Sequence, residues 1–188
     1  MHLLLRTVQT TNANRLVQMY TSYVLPHFDY CSTVWSPHHL GKVRALERVQ
    51  RTFTRIIHFR CNQINNSVVV PSYSRRIRLL KLDSLFLRRI KQDLTMMYKI
   101  IHGKVNMKWQ KYFNWVLSRP SRTKEHGYIL TSKTSKKDRF IHSFFKRTTK
   151  WYSLLPVHVI ISPSAFIFRK RLNVINLLEK IKIVQPVF

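Results

Sequence analysis

The sequence predicts an all-α protein, a helical bundle of amphipathic helices in two small lobes joined by a basic linker. Three observations carry that expectation. Apolar residues return every three or four positions through most of the chain, which lines them along one side of a helix. Hydrophobic residues make up 45% of the 188 positions and aromatic residues 12%, with only three glycines, so the chain can bury a core instead of remaining a disordered basic tail. One stretch, Ser118–Lys137, is rich in Ser, Thr, Lys and Arg and nearly lacks large apolar side chains. It is assigned as a linker, with room for a short extended piece around Tyr128, Ile129 and Leu130, between an N-terminal lobe, residues 1–117, and a C-terminal lobe, residues 138–188.

Residues 12–25 are expected to be helical, with Leu16, Met19, Tyr20, Tyr23 and Val24 on one face and Asn12 or Asn14 as N-cap. Pro26 should kink or end that helix. Phe28, Tyr30, Val34 and Trp35 form an apolar and aromatic cluster that reads as core and stops at Ser36 and Pro37. The longest period follows: Leu40, Val43, Leu46, Val49, Phe53 and Ile56 form the stripe expected to be buried. Arg44, Arg48, Arg51 and Arg55 repeat with the same period one residue later, a second stripe turned about 100° from the first. Glu47 alone offers a local partner, to Arg51, so most of that charge has no neighbouring carboxylate. The helix should end near Phe59, before a polar loop, CNQINNS.

After Pro71, Ile77, Leu79 or Leu80, and Leu82 should turn inward while Arg75, Arg76 and Arg78 face out. Asp83 is the candidate cap of a helix over Ser84–His102, where Leu85, Leu87, Ile90, Leu94, Met97, Tyr98 and Ile101 recur and Gly103 supplies the stop. A short amphipathic helix is expected over residues 108–117, with Trp109, Tyr112, Phe113 and Val116 on one face. Beyond the linker, Phe140, Phe144, Phe145, Thr148, Trp151 and Leu155 restart a helical pattern that stops at Pro156. Ser164 can cap a last helix through Phe166, Phe168, Leu172 and Ile175, with Arg169, Lys170 and Arg171 beside them.

With 34 Lys and Arg against 7 Asp and Glu, the formal net charge is +27, and self-repulsion on that scale opposes compaction unless something polyanionic is bound. Nucleic acid is the expected partner. Cys31 and Cys61 make no disulfide framework, which suits a reducing interior, nucleus or cytoplasm. No run approaches the roughly 18 apolar residues that cross a bilayer, and no secretory signal is evident, although the Arg-rich, acid-poor start is compatible with mitochondrial import. Two-metal nucleotidyl transfer needs carboxylates close enough to bridge ions about 4 Å apart. The acids Asp29, Glu47, Asp83, Asp93, Glu125, Asp138 and Glu179 include no adjacent pair. Three glycines make no phosphate loop. Cys31, His38, His39, His58 and Cys61 lack the short spacings of a zinc site. No catalytic residue, metal or cofactor is assigned.

Several blocks carry a resemblance. Met19-Tyr20, Ser22-Tyr23-Val24, Pro26, Tyr30-Cys31-Ser32, Val34-Trp35-Ser36-Pro37, Leu46-Glu47, Val49-Gln50-Arg51 and Phe53-Thr54-Arg55 resemble the segment after the polymerase palm in jockey-like non-LTR retrotransposon reverse transcriptases. Arg78-Leu79-Leu80, Leu82, Ser84-Leu85, Arg88-Arg89, Asp93-Leu94, Tyr98-Lys99-Ile100 and His102-Gly103 are similar to that family's next block. Phe144-Phe145, Arg147, Trp151, Leu154 or Leu155 with Pro156, Val159, Ser162, Ser164, Phe166 and Leu172 resemble its C-terminal block, with Tyr152 where the family writes Asn.

The resemblance implies a thumb and post-thumb region lying along a template–primer duplex of RNA and DNA, separate from the polymerase palm and endonuclease that hold the family's catalytic residues. Candidate phosphate contacts are the stripe Arg44, Arg48, Arg51 and Arg55, with Arg75 and Arg76, and Arg88, Arg89 and Arg147 from the matching blocks. The rest of a reverse transcriptase is a further expected partner. The alternative readings are an inert retroelement remnant and a basic ribosome-associated or mitochondrial RNA-binding protein.

Overall fold

The computed structural model describes residues 6–61, 70–117, 128–132 and 142–180. The chain is mainly helical, as its periodicity predicts, with one small pair of strands among the described residues. These residues divide into two compact units. The first comprises residues 6–32, 37–61 and 70–88, and the second residues 33–36, 89–117, 128–132 and 142–180. The division thus falls between Arg88 and Arg89, where the sequence reading puts it at 118–137. Most of that stretch lies outside the described residues, and its described part pairs with a strand from residues 113–117 inside the second unit.

In the first unit, α1 (Ala13–Met19) begins at Asn12, whose Oδ1 accepts from the amides of Asn14 at 3.0 Å and Arg15 at 3.3 Å. Pro26 does not end the helix. A proline nitrogen cannot donate to the carbonyl a turn back, and the chain widens to π geometry over Tyr20–Val24 before α2 (Leu25–Asp29) takes Pro26 into its first turn. A left-handed turn at Cys31 (φ 49°) then separates α2 from α3 (Ser32–Trp35). Neither short helix keeps one face across that break, so the expected aromatic core does not form. Tyr30 and Val34 are 77% and 83% exposed, Trp35 is exposed, and Phe28 alone of the group packs on the core.

The longest helix, α4 (Leu40–Cys61), buries Val43, Glu47, Gln50, Phe53, Thr54 and Ile57. Leu40 is exposed, and Leu46, Val49 and Ile56 are half-buried. The buried face is therefore turned by roughly 45° from the apolar stripe, keeping Val43 and Phe53 and taking in the polar side chains of Glu47, Gln50 and Thr54. Leu16, Tyr20, Leu25, Phe53, Ile57 and Leu85 make the core, with the Tyr20 ring stacked on Phe53 at 4.1 Å between centroids. α5 (Tyr73–Leu79) is capped by Ser72 and turns Tyr73 and Arg76 inward, while Leu80, not Leu79, reaches the core. α6 (Leu85–Ile101) follows, and its cap is Ser84, whose Oγ accepts from the Leu87 amide at 3.2 Å, not the expected Asp83.

In the second unit α6 buries Ile90, Leu94, Met97, Tyr98 and Ile100 and stops where expected. Gly103 is left-handed (φ 65°), and the Lys104 amide donates to the Lys99 carbonyl at 2.8 Å, closing the helix end. Residues 108–117 correct the expectation of a helix: a 3-10 turn over Trp109–Lys111 leads into β1 (Phe113–Leu117), antiparallel to β2 (Tyr128–Ser132). FNWVL is aromatic and β-branched, a composition that suits a pleated strand once a partner is present. Phe113 is buried while Asn114 and Val116 are exposed, an alternation with the strand period of two.

α7 (Phe144–Tyr152) lies against β2, and the Ser153 hydroxyl accepts from the Leu130 amide at 2.9 Å. α8 (Val157–Ile160), α9 (Ala165–Val174) and α10 (Leu177–Lys180) complete the unit, α9 being capped by Ser164 as expected. Its core includes Phe168, stacked on Tyr98 at 4.5 Å, with Tyr152 and Leu172.

Candidate nucleic-acid interface

The inner face of α4 explains what its outer face lacks. Glu47 is fully buried, and its carboxylate accepts from the Leu85 amide at 3.0 Å, the Phe86 amide at 3.1 Å and the Tyr73 hydroxyl. It caps the first turn of α6, where orphan amides and the positive end of the helix dipole favour an anion. Gln50 extends the network: its amide nitrogen donates to Tyr73 Oη at 3.1 Å and to the Asp83 carbonyl at 2.8 Å, and its oxygen accepts from Tyr20 Oη at 3.1 Å. Burial, reinforced by the Glu47 charge, pushes both tyrosine hydroxyls well above their ordinary range, so both serve as neutral donors. The expected pairing of Glu47 with Arg51 is absent because the carboxylate points the other way.

Arg44, Arg48, Arg51 and Arg55 are all exposed, one residue on from the buried positions Val43, Glu47, Gln50 and Thr54. None has a carboxylate partner among the described residues. The Arg55 guanidinium lies 5.7 Å from the Phe59 ring centroid. On α5, which packs against α4, Arg75 and Arg78 are also exposed. Arg78, expected to face outward but not counted among the phosphate contacts, and Lys42 near the start of α4 are further outward cations; the place of Arg78 three residues after Arg75 on one helix was the available signal.

The other candidates are corrected by their surroundings. Arg76 is 6% exposed, and its guanidinium donates to Thr54 Oγ1 at 3.3 Å, the Pro71 carbonyl at 2.5 Å and the Arg51 carbonyl at 3.5 Å. It fastens α5 to α4, and desolvation with the neighbouring Arg51 and Arg55 charges lowers its pKa. Arg88 grips both carboxylate oxygens of Asp29 at 2.5–2.9 Å. Arg89 is 3% exposed beside Asp93. Arg147 holds buried Asp93 at 2.8 Å and 3.2 Å while donating to the carbonyls of Thr33 and His142. Burial pushes the Asp93 carboxyl up to about 6 against the pull of Arg147 and Arg89. These arginines are committed to carboxylates, carbonyls or the interior, and exposure rather than residue type separates them from the stripe.

No family model, curated protein or solved structure matches the chain. Among the described residues, no three of His, Cys, Asp and Glu are grouped so as to hold a metal ion, and no helix is long and apolar enough to cross a membrane.

Proposed function

We propose that this protein binds RNA and DNA through the outer face of α4, extended by Arg75 and Arg78, as the thumb and post-thumb part of a retrotransposon reverse transcriptase engages its template–primer duplex. It has no catalytic centre of its own on this reading, and it serves the rest of such an enzyme by holding phosphates. One observation carries the proposal: four exposed arginines share one side of a helix whose only acid is turned into the core. Such a surface attracts phosphate by counterion release and gives affinity and position without reading sequence.

The test is to replace Arg44, Arg48, Arg51 and Arg55 together by Gln, which preserves helix propensity. The variant should melt like the parent, bind labelled duplex DNA and RNA more weakly, and lose roughly 0.9 from the salt slope for each duplex contact removed. An unchanged slope in a normally folded variant would move the interface off α4.

A further inference from the structure

The second unit carries a different surface. Four rings run in a ladder: Trp109 stacks on Phe113 at 5.0 Å and 14°, Phe113 lies 6.0 Å from Phe145, and Phe145 stacks on Tyr112 at 4.3 Å and 8°. Phe113 is fully buried at the start of β1, and Phe144 packs edge-on against Phe145 at 5.2 Å, so the ladder is fixed from below. Tyr112, in contrast, is 38% exposed at the ladder's end, with one face stacked on Phe145.

Among the described residues, the charged side chains nearest Tyr112 and Phe145 in sequence are positive. Lys108 and Lys111 are exposed within four residues of Tyr112, and half-buried Lys146 follows Phe145. The carboxylates among the described residues of this unit are Asp93, buried on Arg147, and Glu179 on α10. An aromatic face set among lysines matches a nucleobase joined to phosphates, and only an unpaired base can offer its face, because in a duplex both faces are covered by neighbours.

We propose that Tyr112, backed by Phe145 and with Lys108, Lys111 and Lys146 close to the two rings in sequence, is a stacking platform for single-stranded RNA or DNA, separate from the phosphate-binding face of α4. It rests on the reading of the chain as a nucleic-acid-binding protein but uses none of the residues of the arginine stripe. The pre-stacked ring has little rotamer freedom left to lose when a base arrives, which favours binding.

The experiment compares the full chain's affinity for an oligothymidylate with that for an abasic oligonucleotide of the same length, whose phosphates are identical. The ratio isolates the bases. Stacking should make the wild-type ratio about tenfold. Tyr112→Leu, which keeps apolar bulk without an aromatic face, should bring the ratio close to one while leaving the abasic affinity unchanged; Tyr112→Phe should keep it, and Tyr112→Trp should raise it. A wild-type ratio of one, or a ratio the Leu variant keeps, overturns the platform. Loss of fold in the Leu variant is detected by its melting curve, and the Phe and Trp variants then decide alone: a ratio indifferent to ring size also overturns the proposal. Failure of the α4 reading is distinguishable, because it shows as an unchanged salt slope in the four-Gln variant whatever the base-to-abasic ratio.

Discussion

Arg75 and Arg76 stand side by side on α5 with the same charge and opposite tasks. Arg76 donates to a hydroxyl and two carbonyls from inside the first unit, so Arg76→Gln should leave those acceptors unpaired and cost about 2–4 kcal/mol in urea unfolding. Arg75→Gln, at an exposed position, should change stability by less than about 0.5 kcal/mol and act on nucleic-acid affinity alone. Equal stability losses in the two variants would contradict this division. Asp93 supplies a second residue-scale outcome. Its proton is held more tightly in the folded protein, up to about 6, than in the unfolded chain, where a carboxyl titrates near its ordinary ~3.9. The folded state is then favoured by this group fully below about pH 4, and the contribution is lost as pH rises through about 6. Urea unfolding at pH 4 and pH 7 should show the decline in the parent and a flatter profile in Asp93→Asn; parallel profiles would remove Asp93 as the cause. Neither role was visible in the sequence, where a buried arginine and a surface one are written alike.

At the scale of elements, most helices and several of their signals were legible: Asn12, Ser164 and Gly103 sit where capping chemistry puts them. The phase of α4 was legible in part. Val43 and Phe53 of the apolar stripe are buried, but Leu46, Val49 and Ile56 are only half-buried, and Glu47, Gln50 and Thr54 share the interior with Ile57. Polar side chains occupy that face because each finds a partner there, which only the tertiary structure supplies. The strand at Phe113–Leu117 escaped for a related reason, since five residues do not distinguish strand from helix until YILTS pairs with them. Glu47 gives the element-scale prediction. Glu47→Ala removes the acceptor of two amides and a hydroxyl and should destabilise the protein by about 3 kcal/mol or more in chemical denaturation, in the same direction as the loss of one negative charge from a strongly positive protein. A loss below about 1 kcal/mol would show that water or another group takes its place.

For the molecule as a whole, the charge and the helical class were evident from composition and period, and the division into units was not. It falls within α6, where helix runs without interruption and no change of composition marks it, while the described part of the basic stretch that resembled a linker, residues 128–132, is one of a pair of strands. The net charge of +27 also says nothing of where the cations are free. Among the described residues two acids lie in the interior, Asp93 on Arg147 and Glu47 at the end of a helix, and partly exposed Asp29 holds Arg88.

The placement of Glu47 has a consequence in time as well as in space. Turned outward, one carboxylate among the arginines of α4 would cancel part of their field within a Debye length, about 8 Å in physiological salt. Turned inward, it leaves the stripe's attraction to reach an approaching polyanion before any contact is made, and such fields act chiefly on the rate of encounter. Rapid mixing should therefore find the four-Gln variant slower to associate with nucleic acid, by a factor that shrinks as salt is added, while its dissociation rate changes less; the reverse pattern would mean the arginines act only as contacts. A side chain fully hidden beneath the helix would then help set how fast a ligand arrives at its surface.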